Sequence, residues 1–311
     1  MSELSEKIKV SAGVFAHNEE KNIAKLLEAL LQQQLNKVEL DEIIIVASGC
    51  TDKTVEIAEQ FQKQQNTNNK PQDTNIKILV QEKREGKVSA INLFLQEANN
   101  TTVLIESGDT IPAKNTVEYL MVPFENTKVG MTGARPVPID KSHTLMGFAT
   151  NLLWELHHRI SLKTPKMGEM VAFRKDIIPR LSLTAVDEAL IEAKIKKAGY
   201  EVHYVPEAIV YNKGPETAGD FLRQRRRIHA GHLHLKKHHG HAVSTGNVLT
   251  IFKMLGSMLY GMLRGNIRAF VYIPSTVALE ATGKALGYWD FYVAKKDHIV
   301  WEQASSTKDL N

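Results

Sequence analysis

The stretch Glu42-Ile43-Ile44-Ile45-Val46-Ala47 runs straight into Ser48-Gly49-Cys50-Thr51-Asp52. An apolar run with no polar alternation reads as a strand buried on both faces, the mark of a parallel sheet covered by helices. The small and polar residues after it read as a tight turn that enters a helix reaching about Gln65. Working outward, Ile8 to Ala16 is a second apolar strand. Asn18 is placed to cap a following helix, in which Ile23, Leu26, Leu27, Leu30, Leu31 and Leu35 recur at helical spacing. Beyond a polar loop from Gln65 to Thr74 come a strand at Ile76 to Val80, a helix at Gly86 to Ala98 and a strand at Thr102 to Glu106. This alternation predicts an α/β fold, a mostly parallel sheet flanked by helices. Ligands of such sheets bind beyond the carboxyl ends of the strands. Segments 15–19, 47–52 and 106–109 all lie at such ends, so they are expected to converge in space.

After Thr110 the pattern loosens. Met131 to Val137 and Met170 to Arg174 read as strands around a helix near His143 to Ile160. A further helix, with Thr184 near its start, passes through Asp187 and Glu188 to Ala198 and is ended by Gly199. From Glu216 the chain reads as helical and basic. Thr250 to Arg264 carries Ile251, Met254, Leu255, Met258, Leu259 and Met262 on one face. No internal repeat is visible. Residues 1–242 are expected to form the α/β domain and residues 243–311 a helical C-terminal extension.

Composition sets limits. At 311 residues, 43% hydrophobic and 24% charged, with 19 Gly and 10 Pro, the chain is neither fibrous nor disordered. A lone cysteine, Cys50, excludes an internal disulfide framework and a cysteine-based zinc site. The opening MSELSEKIKV lacks the apolar core of a signal peptide, and no apolar stretch is long enough for a membrane span. The best candidate, Ile267 to Trp289, is interrupted by Arg268, Glu280 and Lys284. A cytoplasmic protein, able to sit peripherally on a membrane, is therefore expected. The formal charge of +4 is too small to imply nucleic acid as a partner.

Three groups could carry chemistry. Asp109, just past a buried strand and preceded by Ser107-Gly108, is suited to hold a divalent cation that holds phosphate oxygens, or simply to cap a helix. Asp187-Glu188 offers a general base, or two acids that complement a helix dipole. Arg223 to His241 has six Lys/Arg, six of the 12 His and no acid; it reads as a solvated face, a phosphate grip or a contact for anionic lipid.

In this order the pieces resemble the family 2 glycosyltransferases of the GT-A fold, a Rossmann-like sheet. Ala16-His17-Asn18-Glu19-Glu20 resembles the family's opening block, and Ala47 to Thr54 its second, with Ala47-Ser48 where acids are common. Arg84-Glu85-Gly86-Lys87, with Ala90 and Asn92, is similar to the third. Ser107-Gly108-Asp109 stands at the DxD position, with Ser107 in place of the first acid. Gly168 to Arg174 resembles the acceptor-side block, Asp187-Glu188 the acidic pair, and Gln224-Arg225-Arg226-Arg227-Ile228 the QxxRW block, with Ile228 in place of Trp.

The resemblance implies an inverting transferase that moves a sugar from a nucleoside diphosphate sugar to a hydroxyl or phosphate acceptor. UDP-sugars are its commonest donors and GDP-sugars the alternative. Asp109 would hold Mg²⁺ or Mn²⁺. Ala16, Asn18, Glu19, Ser48, Lys87, Ser107, Gln224, Arg226 and Arg227 would line the donor site. Asp187 would be the base, with Glu188 as its alternate. The tail HIVWEQASSTK (298–308) resembles membrane-associated members, which implies a lipid-linked acceptor and peripheral membrane contact. A nucleotidyltransferase on the same kind of sheet, or a catalytically impaired family member, stays open at this point.

Overall fold

The computed structural model describes residues 6–67, 74–140, 142–241, 267–300 and 307–310. Four parallel strands are laid down first: β1 (Ile8–Ala16), β2 (Val38–Ser48), β3 (Asn75–Gln81) and β4 (Thr102–Ser107). They alternate with α1 (Ile23–Leu31), α2 (Thr54–Thr67) and α3 (Lys87–Glu97). Then come β5 (Thr110–Pro112), α4 (Thr116–Met121), β6 (Val129–Pro138), α5 (Leu145–Ser161) and β7 (Val171–Arg174). The chain continues through α6 (Asp187–Lys197), β8 (Glu201–Asn212), α7 (Ala218–His239) and α8 (Ala269–Trp289). One eight-stranded sheet results, in the order β3-β2-β1-β4-β7-β6-β8-β5. Its first four strands are parallel, β7 runs antiparallel to both neighbours, and β6 and β8 are parallel to each other.

Strand alternation divides the core. Val10, Ala12 and Val14 of β1, with Ile43 and Ile45 of β2, face α1 and the buried residues of α4. Phe15, Ile44 and Val46 point the other way, onto Ile91 and Phe94 of α3 and Leu190 and Ile191 of α6. The decisive apolar run is thus buried on both sides, as its composition predicts. Its first residue, Glu42, is buried too. It accepts hydrogen bonds from Ser11 Oγ at 2.6 Å and from the backbone and side chain of Asn99 at 2.7 and 2.9 Å.

One local expectation is corrected. Asn18 does not cap α1, which begins at Ile23 after Asn22. Asn18 instead sits in a left-handed turn with φ +55°, and its Oδ1 accepts from the Thr51 backbone N–H at 2.8 Å. The helix with Thr184 near its start begins at Asp187, and Thr184 Oγ1 accepts from the Val186 N–H at 3.2 Å in the turn before it. Two strands carry no sequence pattern that announces them, the three-residue β5 and the twelve-residue β8. Pro206 in β8 falls where the pairing with β6 shifts register, between Gly133 and Arg135, a place where a strand tolerates proline. The apolar helix expected at Thr250 to Arg264 lies outside the described residues. Among those described, α8 packs on α7 and α5, with Tyr272 edge-on to Phe148 at 5.6 Å. No described helix is long and apolar enough to cross a membrane.

Candidate active site

The three strand ends meet as expected. The Gly108 N–H donates to Phe15 O at 2.8 Å, and His17 Nδ1 bonds Ser48 O at 2.8 Å. Gly49 closes the turn after β2 with φ +59°, and a Cβ there would fall 2.6 Å from the Arg84 nitrogen, so only glycine fits. A cleft of about 1650 Å³ opens over this edge. Ala16, Ser48, Lys87, Ser107, Asp109, Asp187, Glu188, Gln224, Arg226 and Arg227 all line it. Asn18 and Glu19 are not among the lining residues.

At the centre, Lys87 opens α3 and Asp187-Glu188 opens α6, 100 and 101 residues later. Lys87 Nζ lies 2.9 Å from Asp187 Oδ2 and 2.8 Å from Glu188 Oε1, with the lysine side chain 17% exposed. Burial by itself would lower the ammonium's pKa, but the two carboxylates more than offset it and raise it. Both acids also occupy the first turn of α6, where the helix dipole favours them. Glu188 is pushed up by burial and by Asp187.

Around this pair acidic side chains crowd together. Glu169 lines the cleft beside Asp109, and its carboxyl is pushed up to about 7 by burial, by Asp109 and by Glu188. Glu106, behind them, is raised well above the usual range by burial and accepts a hydrogen bond from Thr110 Oγ1. Arg227 faces this acidic cluster. Burial lowers its pKa, against the pull of Asp187, Glu188, Glu169 and Asp109. Among the described residues no three His, Cys, Asp or Glu side chains group to hold a metal. Ser48 Oγ is buried with no protein partner and faces the cleft with its hydrogen-bonding capacity unspent.

Two of the predicted residues, Arg226 and Glu19, already hold protein partners. Arg226 is paired through both nitrogens with Asp290, which also takes a bond from His298 at 2.9 Å. Its neighbour Arg225 forms a fork on Glu280 at 2.6 and 2.8 Å. Glu19 is 1% exposed, and Asn22 and Lys308 Nζ take up its carboxylate at 3.0 and 2.7 Å. Burial, then Asp109, push Glu19 up to about 7, while Lys308 pulls it down. Glu169, Arg84 and His17 also line the cleft, and Lys308 holds Glu19 beside it. Glu169 and Arg84 sat inside motif blocks that were legible; nothing local in the sequence pairs Lys308 with Glu19, 289 residues away.

The sequence model of glycosyl transferase family 2 matches residues 11–174, and that of glycosyl transferase family group 2 matches residues 107–283. The chain belongs to glycosyl transferase family 2. It is 26% identical over 247 residues to the probable glycosyltransferase YdaM of Bacillus subtilis (strain 168), covering 73% of this chain and 56% of that one. It is 23% identical over 269 residues to a poly-beta-1,6-N-acetyl-D-glucosamine synthase of Staphylococcus epidermidis, covering 83% and 60%. The chain thus spans little more than half the length of the curated relatives it matches. Among solved structures it is similar to the mannosyltransferase PcManGT from Pyrobaculum calidifontis in complex with GDP-Man and Mn²⁺. There the TM-score is 0.62 and the identity 19%, over 94% of this chain and 88% of that one. It also resembles glucosyl-3-phosphoglycerate synthase from Mycobacterium tuberculosis, with TM-score 0.54 and 17% identity over 75% and 80%. These two likenesses are of fold, and the fold is GT-A.

Proposed function

We propose that the chain is an inverting glycosyltransferase that moves a sugar from a nucleoside diphosphate sugar to an acceptor hydroxyl. The observation that carries this reading is the meeting of Asp109, Lys87, Asp187 and Arg227 along one cleft at the carboxyl edge of the sheet. GDP-Man in one similar structure and UDP in the other support a nucleotide donor. Both structures also contain Mn²⁺, and Asp109 fits that role here. A hard cation that keeps waters and substrate phosphates needs only one or two protein carboxylates, and the crowded carboxyl oxygens around Asp109 form a hard-oxygen site. When bound, Mg²⁺ or Mn²⁺ would neutralise charge on the departing diphosphate.

The chain's own residues supply the rest. Asp187 takes the proton of the acceptor hydroxyl, whose oxygen bonds to the anomeric carbon as the bond from that carbon to phosphate breaks. A single displacement inverts the anomeric centre and releases a nucleoside diphosphate. Lys87 holds the Asp187–Glu188 pair in register, and Arg227 offers donors to the leaving side. UDP- and GDP-sugars with Mn²⁺ are expected to raise the melting temperature of the wild-type chain. Asp187→Asn should keep that shift and lose turnover by about 10²–10⁴-fold, the usual worth of a positioned base. Turnover within a few-fold of wild type would remove Asp187 from this role, and retention seen by NMR of the product would exclude a single displacement.

A lipid-linked acceptor is supported by the apolar surface of α8, where Phe270, Val271 and Trp289 are exposed. Such residues favour a membrane interface. The wild-type chain is expected to float with anionic liposomes, and a Phe270→Glu/Trp289→Glu variant to remain behind. Equal flotation would remove the membrane from this reading.

A further inference from the structure

One cleft runs from the donor edge to a second, basic end that the sugar-transfer chemistry leaves unused. Its volume of about 1650 Å³ exceeds the roughly 300–1,000 Å³ that a single small ligand occupies. The far end is built from the connection after α5, from the middle of α7 and from α8. Lys163, Lys166, Arg225, Lys236 and Lys284 line it against two carboxylates, Glu192 and Glu280. Those carboxylates are themselves engaged. Arg225 forks onto Glu280, with Lys284 at 3.7 Å, while Glu192 takes Lys196 at 2.6 Å and His241 at 3.6 Å. The wall therefore keeps an excess of positive charge in a partly enclosed space.

Two further observations point to a ligand there. His157 of α5 is 6% exposed and lines the cleft, yet neither ring nitrogen forms a hydrogen bond; the Met167 backbone lies near without completing one. A buried imidazole with both nitrogens unspent lacks a polar partner that a bound group could supply. In addition, positive charge crowds Lys166 and His232. Lys166 is pushed down to about 8 by burial and then by Arg225, and His232 falls well below its usual value through burial, Lys166 and Arg225. An anion set among them would relieve that repulsion.

The geometry points to a binding site for a phosphate group carried by the acceptor, held by Lys166 and His232 with the His157 ring beside it. This rests on the sugar-transfer reading for its name, since it assigns the class of acceptor: a phosphoester or lipid phosphate in place of a neutral glycan. Lysine acts on phosphate as a compact point charge, and a histidine N–H adds direction.

The test uses the full chain saturated with Mg²⁺ and whichever of UDP or GDP stabilises it, so that the donor's phosphate positions are filled. Inorganic phosphate is then titrated by calorimetry. One saturable site is expected, weakened about tenfold or more in Lys166→Met and in His232→Gln, as loss of one charge-assisted hydrogen bond implies. Nucleotide affinity should stay at the wild-type value in both variants. No saturable phosphate binding, or equal binding in wild type and both variants, overturns the site. Should neither nucleotide bind, the donor reading fails, and the same phosphate titration of the nucleotide-free chain still decides this one. Competition by octyl phosphate and by glycerol 3-phosphate then separates the sources. Stronger displacement by the first assigns a lipid phosphate, stronger displacement by the second a soluble phosphoester, and displacement by neither overturns the acceptor role.

Discussion

Lys87 shows how one side chain holds two distant segments together. Its ammonium sits between Asp187 and Glu188 with little water to share the charge. Lys87→Met would leave two buried carboxylates facing each other, which costs about 3–5 kcal/mol where a buried partner is removed. Urea unfolding should show this loss, and adding Glu188→Gln should recover part of it; an unchanged midpoint would mean the pair is solvated. Arg226 and Glu19 teach the opposite lesson. Both occupy motif positions, and their charges are taken up by Asp290 and by Asn22 with Lys308. A motif names a residue type at a place on the chain, but the partner that holds its charge is set by packing.

At the scale of elements, α5 carries a prediction through His157. Burial, then Lys166, hold its pKa down to about 3 in the folded chain. The unfolded chain takes up that proton near pH 6.5. Between those values the unfolded state binds more protons, so stability falls as pH falls. The contribution amounts to about 2 kcal/mol between pH 7 and pH 5. His157→Leu should flatten the dependence of unfolding free energy on pH in that window, with His232 leaving a residual slope of the same sign. An undiminished slope would show that the ring is accessible to water in the folded state. Elements also differ in how legible they were. β1 to β4 and their helices carry uniform apolar runs and clear helical spacing, so their bounds fell within a few residues. β8 is half exposed and interrupted by Pro206, and β5 has three residues, so neither has a periodicity that could announce it.

At the scale of the whole molecule, the described parts of the tail return to the donor edge. Ile299 O lies where a Cβ on Gly86 would reach to 2.6 Å, and Gly86, at φ +94°, has none. Lys308 donates to His17 O and to Glu19, Asp309 pairs with Lys21 at 3.1 Å, and the Leu310 N–H donates to Asn22 at 3.1 Å. Lys308→Ala should cost about 1.5–3 kcal/mol, the worth of a hydrogen bond to a charged group, because Glu19 is left buried without its cation. A double-mutant cycle with Glu19→Gln measures the coupling, and additivity within experimental error would show that the tail does not brace this loop.

Local chemistry was enough for much of this protein. Apolar runs with no polar face must be buried on both sides, which dictates parallel strands between helices and so brings Ala16, Ser48 and Asp109 to one edge. The order of seven short blocks indicated the family. Only the tertiary structure decided the charge partners: Lys87 with Asp187 and Glu188, Arg226 with Asp290, and Glu19 with Lys308. Backbone periodicity is a property of neighbours along the chain. An ion pair forms between groups that packing brings within a few ångströms and shields from water, and no spacing along the chain encodes that separation.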